Sequence, residues 1–320
     1  MPIAAETAAE PSRGVQRLLD QVQRIFVGKE EVVRLTVVTL LARGHLLIED
    51  VPGIGKTLLG VALARSVEAS FRRIQFTSDL LPSDILGVSL FNQAEHSFEF
   101  RAGPVFSHIL LADEINRSTP KTQSALLEAM SELQVSIDGI THPLPDPFLV
   151  LATQNPVEYH GTYPLPEAQL DRFLMRVRIG YPTPEDEKRI LQGVDPAERV
   201  KALDPVLSLA EIRGLQAEAA SIRVSEPLLD YAVALSEATR RHPAVRLGLS
   251  PRGTLALCRA AKAFALAAGR GFCIPDDFKE VAIPVIAHRL LLDTSLIGVA
   301  RIVEAEGLVE GLLKALPAPA

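Results

Sequence analysis

The sequence predicts an α/β protein, a three-layer αβα domain around a parallel sheet followed by an all-helical region. Three observations carry that expectation. Short apolar runs alternate with helical patterns from about residue 12 to 180. The composition then changes at residues 181–187 (YPTPEDE), and only helical periodicity follows. The first apolar run ends in a glycine turn, DVPGIGKT at residues 50–57, which leads straight into a helical pattern.

The apolar runs are residues 45–50 (HLLIED), 71–76 (FRRIQF), 108–113 (HILLAD), 148–153 (FLVLAT) and 175–180 (MRVRIG). Their length and composition fit strands buried on both faces of a parallel sheet. Between them, residues 56–67 and 120–133 read as helices. The second has Thr119 as N-cap, Pro120 at its first position, and Leu126, Ala129, Met130 and Leu133 on one side. Strand–helix alternation of this kind predicts the three layers.

Two stretches break the rhythm. Residues 91–101 (FNQAEHSFEFR) place polar turn residues between extended runs and predict a hairpin, within an insert at about 88–103. Residues 134–147 (QVSIDGITHPLPDP) predict a second hairpin turning at Asp138-Gly139. Past the linker, helices are expected at 227–240, 251–268 and 275–292, the middle one capped by Ser250 and closed by Gly269. The resulting division is a tail at 1–11, a core at 12–182, a helical domain at 183–316 and a tail at 317–320. Neither an internal repeat nor a low-complexity tract interrupts it.

The bulk numbers bound the function. The 320 residues amount to about two domains at the usual ~100–200 each. With 12 Phe, 4 Tyr and no Trp, the core must rest on aliphatic side chains. The net charge is −6, from 33 Lys and Arg against 39 Asp and Glu, and no basic run stands out. That balance argues against a protein whose main work is gripping nucleic acid. The two cysteines, Cys258 and Cys273, form no metal- or disulfide-type motif, and Cys258 falls in an apolar helical pattern that predicts a buried thiol. The N-terminus lacks a basic and then apolar leader pattern, and no apolar run nears the ~20 residues needed to span a bilayer. The cytoplasm is the expected compartment.

The chemistry lies at the strand ends. In residues 50–57 glycines let backbone N–H groups turn around phosphate oxygens, and the helix N-terminus adds its positive end. Lys56 would reach the outer phosphates of a nucleotide and the Thr57 hydroxyl would hold Mg²⁺. Asp50 stands where the usual pattern has glycine. In HILLADE, a strand delivers two adjacent acids, with Asp113 suited to the metal and Glu114 to general-base catalysis on water. The run LATQNP ends in Thr153, Gln154 and Asn155, and a polar amide at that strand end could contact both phosphate and water. Arg252 lies in the first turn of a helix, the unfavourable end for a cation, so an anion nearby is expected. Arg172 precedes the last strand. The chain has no G-x-S-x-G, no H-E-x-x-H and no metal-type Cys/His spacing, and without an N-K-x-D-like signature ATP is favoured over GTP.

At this point the chain resembles the AAA+ ATPases, and specifically the MoxR family. The segments LIEDVPGIGKT, TSDLLPSDILG, ILLADEINRSTPKTQSALLEAM and ATQNPVEYHGTYPLPEAQLDRF carry the resemblance, which covers roughly residues 15–292 in order. It implies that Lys56 and Thr57 are the Walker A pair, Asp113 and Glu114 the Walker B pair, and Asn155 sensor 1. Arg172 would be the arginine finger, with Arg117 and Arg176 as alternatives, and Arg252 sensor 2. The nucleotide-binding set is completed by Gly28, in an element that packs near adenine, and by Pro52, Gly53, Ile54, Gly55 and Leu58. His160 replaces an acid expected in its segment.

The resemblance further implies a sheet of order 5-1-4-3-2, a helical lid over the nucleotide, and a homo-oligomeric ring, a hexamer, with ATP between neighbours. The hairpins match the family's helix-2 insert and pre-sensor hairpin, facing the pore or a partner. It also implies chaperone-like remodelling or activation of a client, with a von Willebrand factor A domain partner and in some cases cofactor or metal insertion. Two other readings share the architecture: an MCM-like nucleic-acid motor and a metal-chelatase ATPase subunit. A non-hydrolysing scaffold is disfavoured by the intact Asp113–Glu114 pair.

Overall fold

A computed structural model describes residues 13–50, 54–155, 162–193, 196–294, 296 and 298–319. The expected tail at 1–11 lies outside the described residues, and 317–319 carry no regular element.

Two helices open the chain. In α1 (Arg13–Ile25), Val15, Leu18, Leu19, Val22 and Ile25 are buried, an apolar stripe at helical spacing. In α2 (Glu30–Leu41) nearly every residue past the first turn is buried, because other elements pack on several sides of it. β1 (Leu46–Glu49), α3 (Lys56–Ser66), β2 (Phe71–Gln75) and the short α4 (Pro82–Leu86) follow. β3 (Gly87–Asn92) and β4 (Ser97–Ala102) form the first antiparallel hairpin. β5 (Ile109–Asp113) and α5 (Pro120–Glu132) resume the alternation. β6 (Gln134–Ile137) and β7 (Ile140–Pro143) form the second hairpin, with positive φ at both Asp138 and Gly139. Two left-handed residues in a two-residue loop are what a type I′ turn requires.

β8 (Leu149–Gln154), the one-turn α6 (Glu167–Leu170) and β9 (Met175–Val177) complete the sheet. Its order is β2-β5-β8-β1-β9, all parallel. Numbered among the five sheet strands alone, this is 5-1-4-3-2 read from the other edge. Alternation along the strands sends side chains to two separate cores. Leu46, Ile48, Ile109, Leu111 and Leu151 join one, with α1, α2 and α3, while Leu47, Leu110, Ala112 and Val150 join the other, with α5. Burial on both faces holds for β1, β5, β8 and β9 but not for β2, where only Ile74 is buried. β2 is an edge strand, and unlike the residues of β9, the other edge, its Arg72, Arg73 and Gln75 meet solvent.

The linker read at 181–187 is shorter than expected. Thr183 caps α7 (Pro184–Gln192) by accepting a hydrogen bond from Asp186 N, so its acidic half is the first helical turn. Further on come α8 (Pro196–Lys201), α9 (Leu209–Ser221) and α10 (Glu226–Arg241). Then β10 (Val245–Leu247) precedes α11 (Pro251–Ala267) and α12 (Pro275–Ile286). Ser250 caps α11, and Gly269 closes it with φ +78, Arg270 N returning to Ala265 O. The helix expected over 275–292 stops at Ile286. A 3-10 turn at Ala287–Arg289 follows, and β11 (Leu291–Leu292) pairs antiparallel with β10. The stop has a cause: Arg289 is buried and donates to the carbonyls of Phe173, Leu174 and Val285 and to Asp171. The region is therefore helical except for this small ribbon. α13 (Gly298–Ala315) ends the fold.

α2 carries the helical region. Gln216 Nε2 donates to Leu40 O at 2.8 Å and Arg259 Nη2 to Ala42 O at 2.5 Å, while Leu257, Ala260 and Phe278 extend the core that α1–α3 share. Among the described residues, no helix is long and apolar enough to cross a membrane.

Candidate active site

Two adjoining cavities open at the C-terminal edge of the sheet, where α/β proteins bind ligands. Gly55, the residue before α3, has φ +89, and α3 begins at Lys56 with its N-terminus open to the first cavity, of about 310 Å³. That cavity is lined by Lys56, Thr57, Arg73, Gln75, Asp113 and Glu114. Lys56 is buried, and its ammonium donates to Asp50 O at 2.9 Å. Burial lowers its pKa, opposed by the charges of Asp113, Asp50 and Glu114. Pro52 and Gly53 lie outside the described residues.

β5 ends at Asp113, and the chain then turns through Glu114 at φ +56. A left-handed non-glycine residue costs on the order of 1–3 kcal/mol and is held only where its surroundings enforce it. Here Glu114 N donates to Thr153 Oγ1 at 2.8 Å, and Thr153 Oγ1 donates to Asp113 Oδ1 at 2.6 Å. β8 thus fixes both acids.

Each acid is also met by a donor from β2. Arg73 Nη2 lies 2.6 Å from Asp113 Oδ2, and Gln75 Nε2 donates to Glu114 Oε2 at 2.7 Å. Arg117 adds a 2.9 Å contact to Glu114. Arg73 and Gln75 escape a reading of the sequence, although two polar residues at i, i+2 in an apolar run are a signal that one strand face meets something polar.

The second cavity, of about 240 Å³, is apolar, with Phe26, Val27, Ile54, Leu58, Ile179 and Ile190 among its walls. Its apolar walls suit a heterocycle. Gly28 is not on its wall but at the turn that presents Val27 and Lys29 to it. Gly28 has φ +77, and a Cβ there would sit 2.1 Å from Asp186 Oδ2, so only glycine fits.

Magnesium prefers a few hard oxygen ligands together with substrate phosphates and water rather than a dedicated protein cage. The Thr57 hydroxyl and Asp113 carboxylate beside one cavity fit that demand. Among the described residues, no cluster of three or more His, Cys, Asp or Glu forms a cage elsewhere.

The remaining expected residues are not brought to this cavity. Asn155 is buried and lines a neighbouring cavity with Glu49, Asn116 and Arg176. Arg172 Nη1 is held by Leu127 O at 2.6 Å and by Ser131 Oγ. Asp171 beside it pairs with Arg289 at 2.7 Å, and Arg289 senses the positive charge of exposed Arg252. Neither Arg172 nor Arg252 lines the cavity that holds the chain's own Lys56. Of the alternatives, Arg176 is buried between Glu49 and Glu306, and Arg117 is engaged with Glu114. His160 lies outside the described residues.

Comparison with known proteins fits this geometry. Residues 45–175 match the ATPase family associated with various cellular activities (AAA), and residues 237–304 match the AAA lid domain. An uncharacterised Bacillus subtilis protein is 47% identical over 95% of this chain and 94% of its own. Chaperone MoxR1 of Mycobacterium tuberculosis is 45% identical over 91% of this chain and 79% of its own length. A solved structure from Cytophaga hutchinsonii, described as a candidate ATPase, superposes with TM-score 0.86 at 38% identity, covering 96% of this chain and 95% of that one. With a sheet of this order, an AAA lid and 45% identity over 91% of its length to a MoxR chaperone, the chain belongs to the MoxR family of AAA+ ATPases.

Proposed function

We propose that the chain hydrolyses Mg·ATP at a site shared between neighbouring copies in a ring, a hexamer by family pattern, and uses the cycle to remodel or activate a client protein. The observation that carries this reading is the split of the expected machinery. Lys56, Thr57, Asp113 and Glu114 line one cavity, whereas Arg172 and Arg252 sit elsewhere on the same chain. A cation at a helix start with no ion pair among the described residues, and with Arg289 and Arg259 nearby, calls for an external anion. The phosphates of ATP on a neighbouring copy would supply it.

Within the site, Lys56 neutralises phosphate charge, and Thr57 and Asp113 hold the magnesium, which supplies charge stabilisation of the transferring phosphoryl group. Glu114 orients and deprotonates water, once its bonds to Gln75 and Arg117 are exchanged for the substrate complex. The apolar cavity takes adenine. The core at 12–182 and the lid at 183–316 are the proposed working units. The hairpins are the proposed surfaces for the client or a von Willebrand factor A domain partner. Exposed Phe91 and Phe98 pack at 5.3 Å on the first, and Phe100 stacks at 4.0 Å on His142 of the second. A chaperone among the relatives supports a remodelling role.

Glu114→Gln tests the site assignment. It should retain ATP in a filter-binding or calorimetric assay and lose turnover by roughly 10²–10⁴-fold, the usual worth of a general base. Turnover within a few-fold of wild type would move the base elsewhere.

A further inference from the structure

Asp50 stands at the start of the phosphate loop, in the position the usual pattern gives to glycine. Its carboxylate turns across the sheet edge. Oδ2 accepts hydrogen bonds from two consecutive backbone amides, Ile179 N at 2.7 Å and Gly180 N at 2.6 Å. Those amides belong to the segment that leaves β9, and both residues line the apolar cavity. The same residue is fixed at its backbone, where N donates to Gln154 O at 3.1 Å and O accepts from Lys56 Nζ at 2.9 Å.

The segment held by Asp50 is a wall of the cavity and the approach to α7. Gly180 turns with φ +66, Tyr181 O accepts from Lys29 Nζ at 2.7 Å, and Thr183 caps α7. From α7, Ile190 reaches the cavity and Asp186 packs over Gly28. Without a carboxylate at position 50, the two amides would turn to water and the wall would lose its only side-chain bond to the phosphate loop among those described.

We propose that Asp50 is a positioning residue that fixes the nucleobase wall to the phosphate loop, so that recognition of the base depends on it while grip on the phosphates does not. The proposal rests on reading the apolar cavity as the adenine site. It separates two ligands that share a phosphate chain. ATP uses both cavities, and inorganic tripolyphosphate uses only the polar one.

Calorimetric titration of wild type, Asp50→Ala and Asp50→Asn with ATP and with tripolyphosphate, under identical Mg²⁺, tests it. Wild type should bind ATP more tightly than tripolyphosphate. Asp50→Ala should lose about ten- to a hundredfold in ATP affinity, the scale of one or two lost charge-assisted bonds, with tripolyphosphate affinity not weakened, because the change also removes an anion that acts on Lys56. Asp50→Asn keeps the shape and a neutral acceptor, and should fall between wild type and the alanine variant. It carries the test alone if the alanine variant does not fold. Equal losses for both ligands would make Asp50 a part of the phosphate loop's own architecture and overturn the proposal, as would ATP affinity unchanged in both variants. Wild type that binds tripolyphosphate as tightly as ATP would instead refute the adenine reading beneath it.

Discussion

Arg73 places a guanidinium 2.6 Å from the carboxylate expected to hold magnesium. Its side chain is 47% exposed, so solvent screens the pair, and at 4 Å in water two unit charges interact by only about 1 kcal/mol. That is still about a fivefold effect on a competing cation. Removing the guanidinium in Arg73→Ala should therefore tighten Mg²⁺ binding to the nucleotide-free protein by about fivefold, read by calorimetry. Equal or weaker binding would show that Arg73 does not compete for Asp113. The acids themselves are legible in the sequence, since HILLADE states both the strand and its end. Arg73 and Gln75 are not, because their meaning comes from β2 lying beside β5, with partners 39 and 40 residues away. Asp50 is visible as a departure from pattern, but its partners lie 129 and 130 residues on.

The elements are joined by buried polar side chains that periodicity cannot announce. His45, at the entrance to β1, accepts from Val150 N at 3.0 Å and lies 3.1 Å from Met130 O, tying β8 and α5 to the first strand. Burial pushes its pKa down to about 4. The native state thus binds fewer protons than the unfolded chain between pH 6.5 and about 4, so His45 contributes stability that is complete above pH 6.5 and lost as pH falls through that window. The loss amounts to about 3 kcal/mol at 1.36 kcal/mol per pKa unit. His288, also buried and lowered, acts in the same direction. Urea denaturation from pH 7 to 4 should show this decline, and His45→Gln should flatten it. An unchanged slope in the variant would place the acid sensitivity elsewhere. Strand and helix positions follow from apolar runs and caps, as Ser250 illustrates, whereas the cap at Thr183 lies inside a stretch that reads as a linker. The premature end of α12 does not follow from them, because it depends on Arg289 finding carbonyls more than a hundred residues earlier.

At the scale of the whole molecule, the helical region and the sheet share one continuous core through α2, yet Arg172 and Arg252, the arginines expected to act on ATP, do not line the chain's own phosphate cavity. The proposed ring would make use of that arrangement, since a neighbour's arginines could then meet the ATP held at Lys56. Arg172→Ala keeps Lys56, and Lys56→Ala keeps Arg172, so each variant alone should be nearly without ATPase activity. An arginine supplied across an interface is worth roughly 10³–10⁵ in turnover. The most direct measurement is the ATPase rate of the two variants mixed in equal amounts under conditions where subunit exchange is confirmed. Roughly a quarter of the interfaces, half times half, then join an intact Lys56 to a neighbour's intact Arg172, and turnover should recover to about that fraction of wild type. No recovery despite exchange, or full turnover in Arg172→Ala alone, would contradict a shared site.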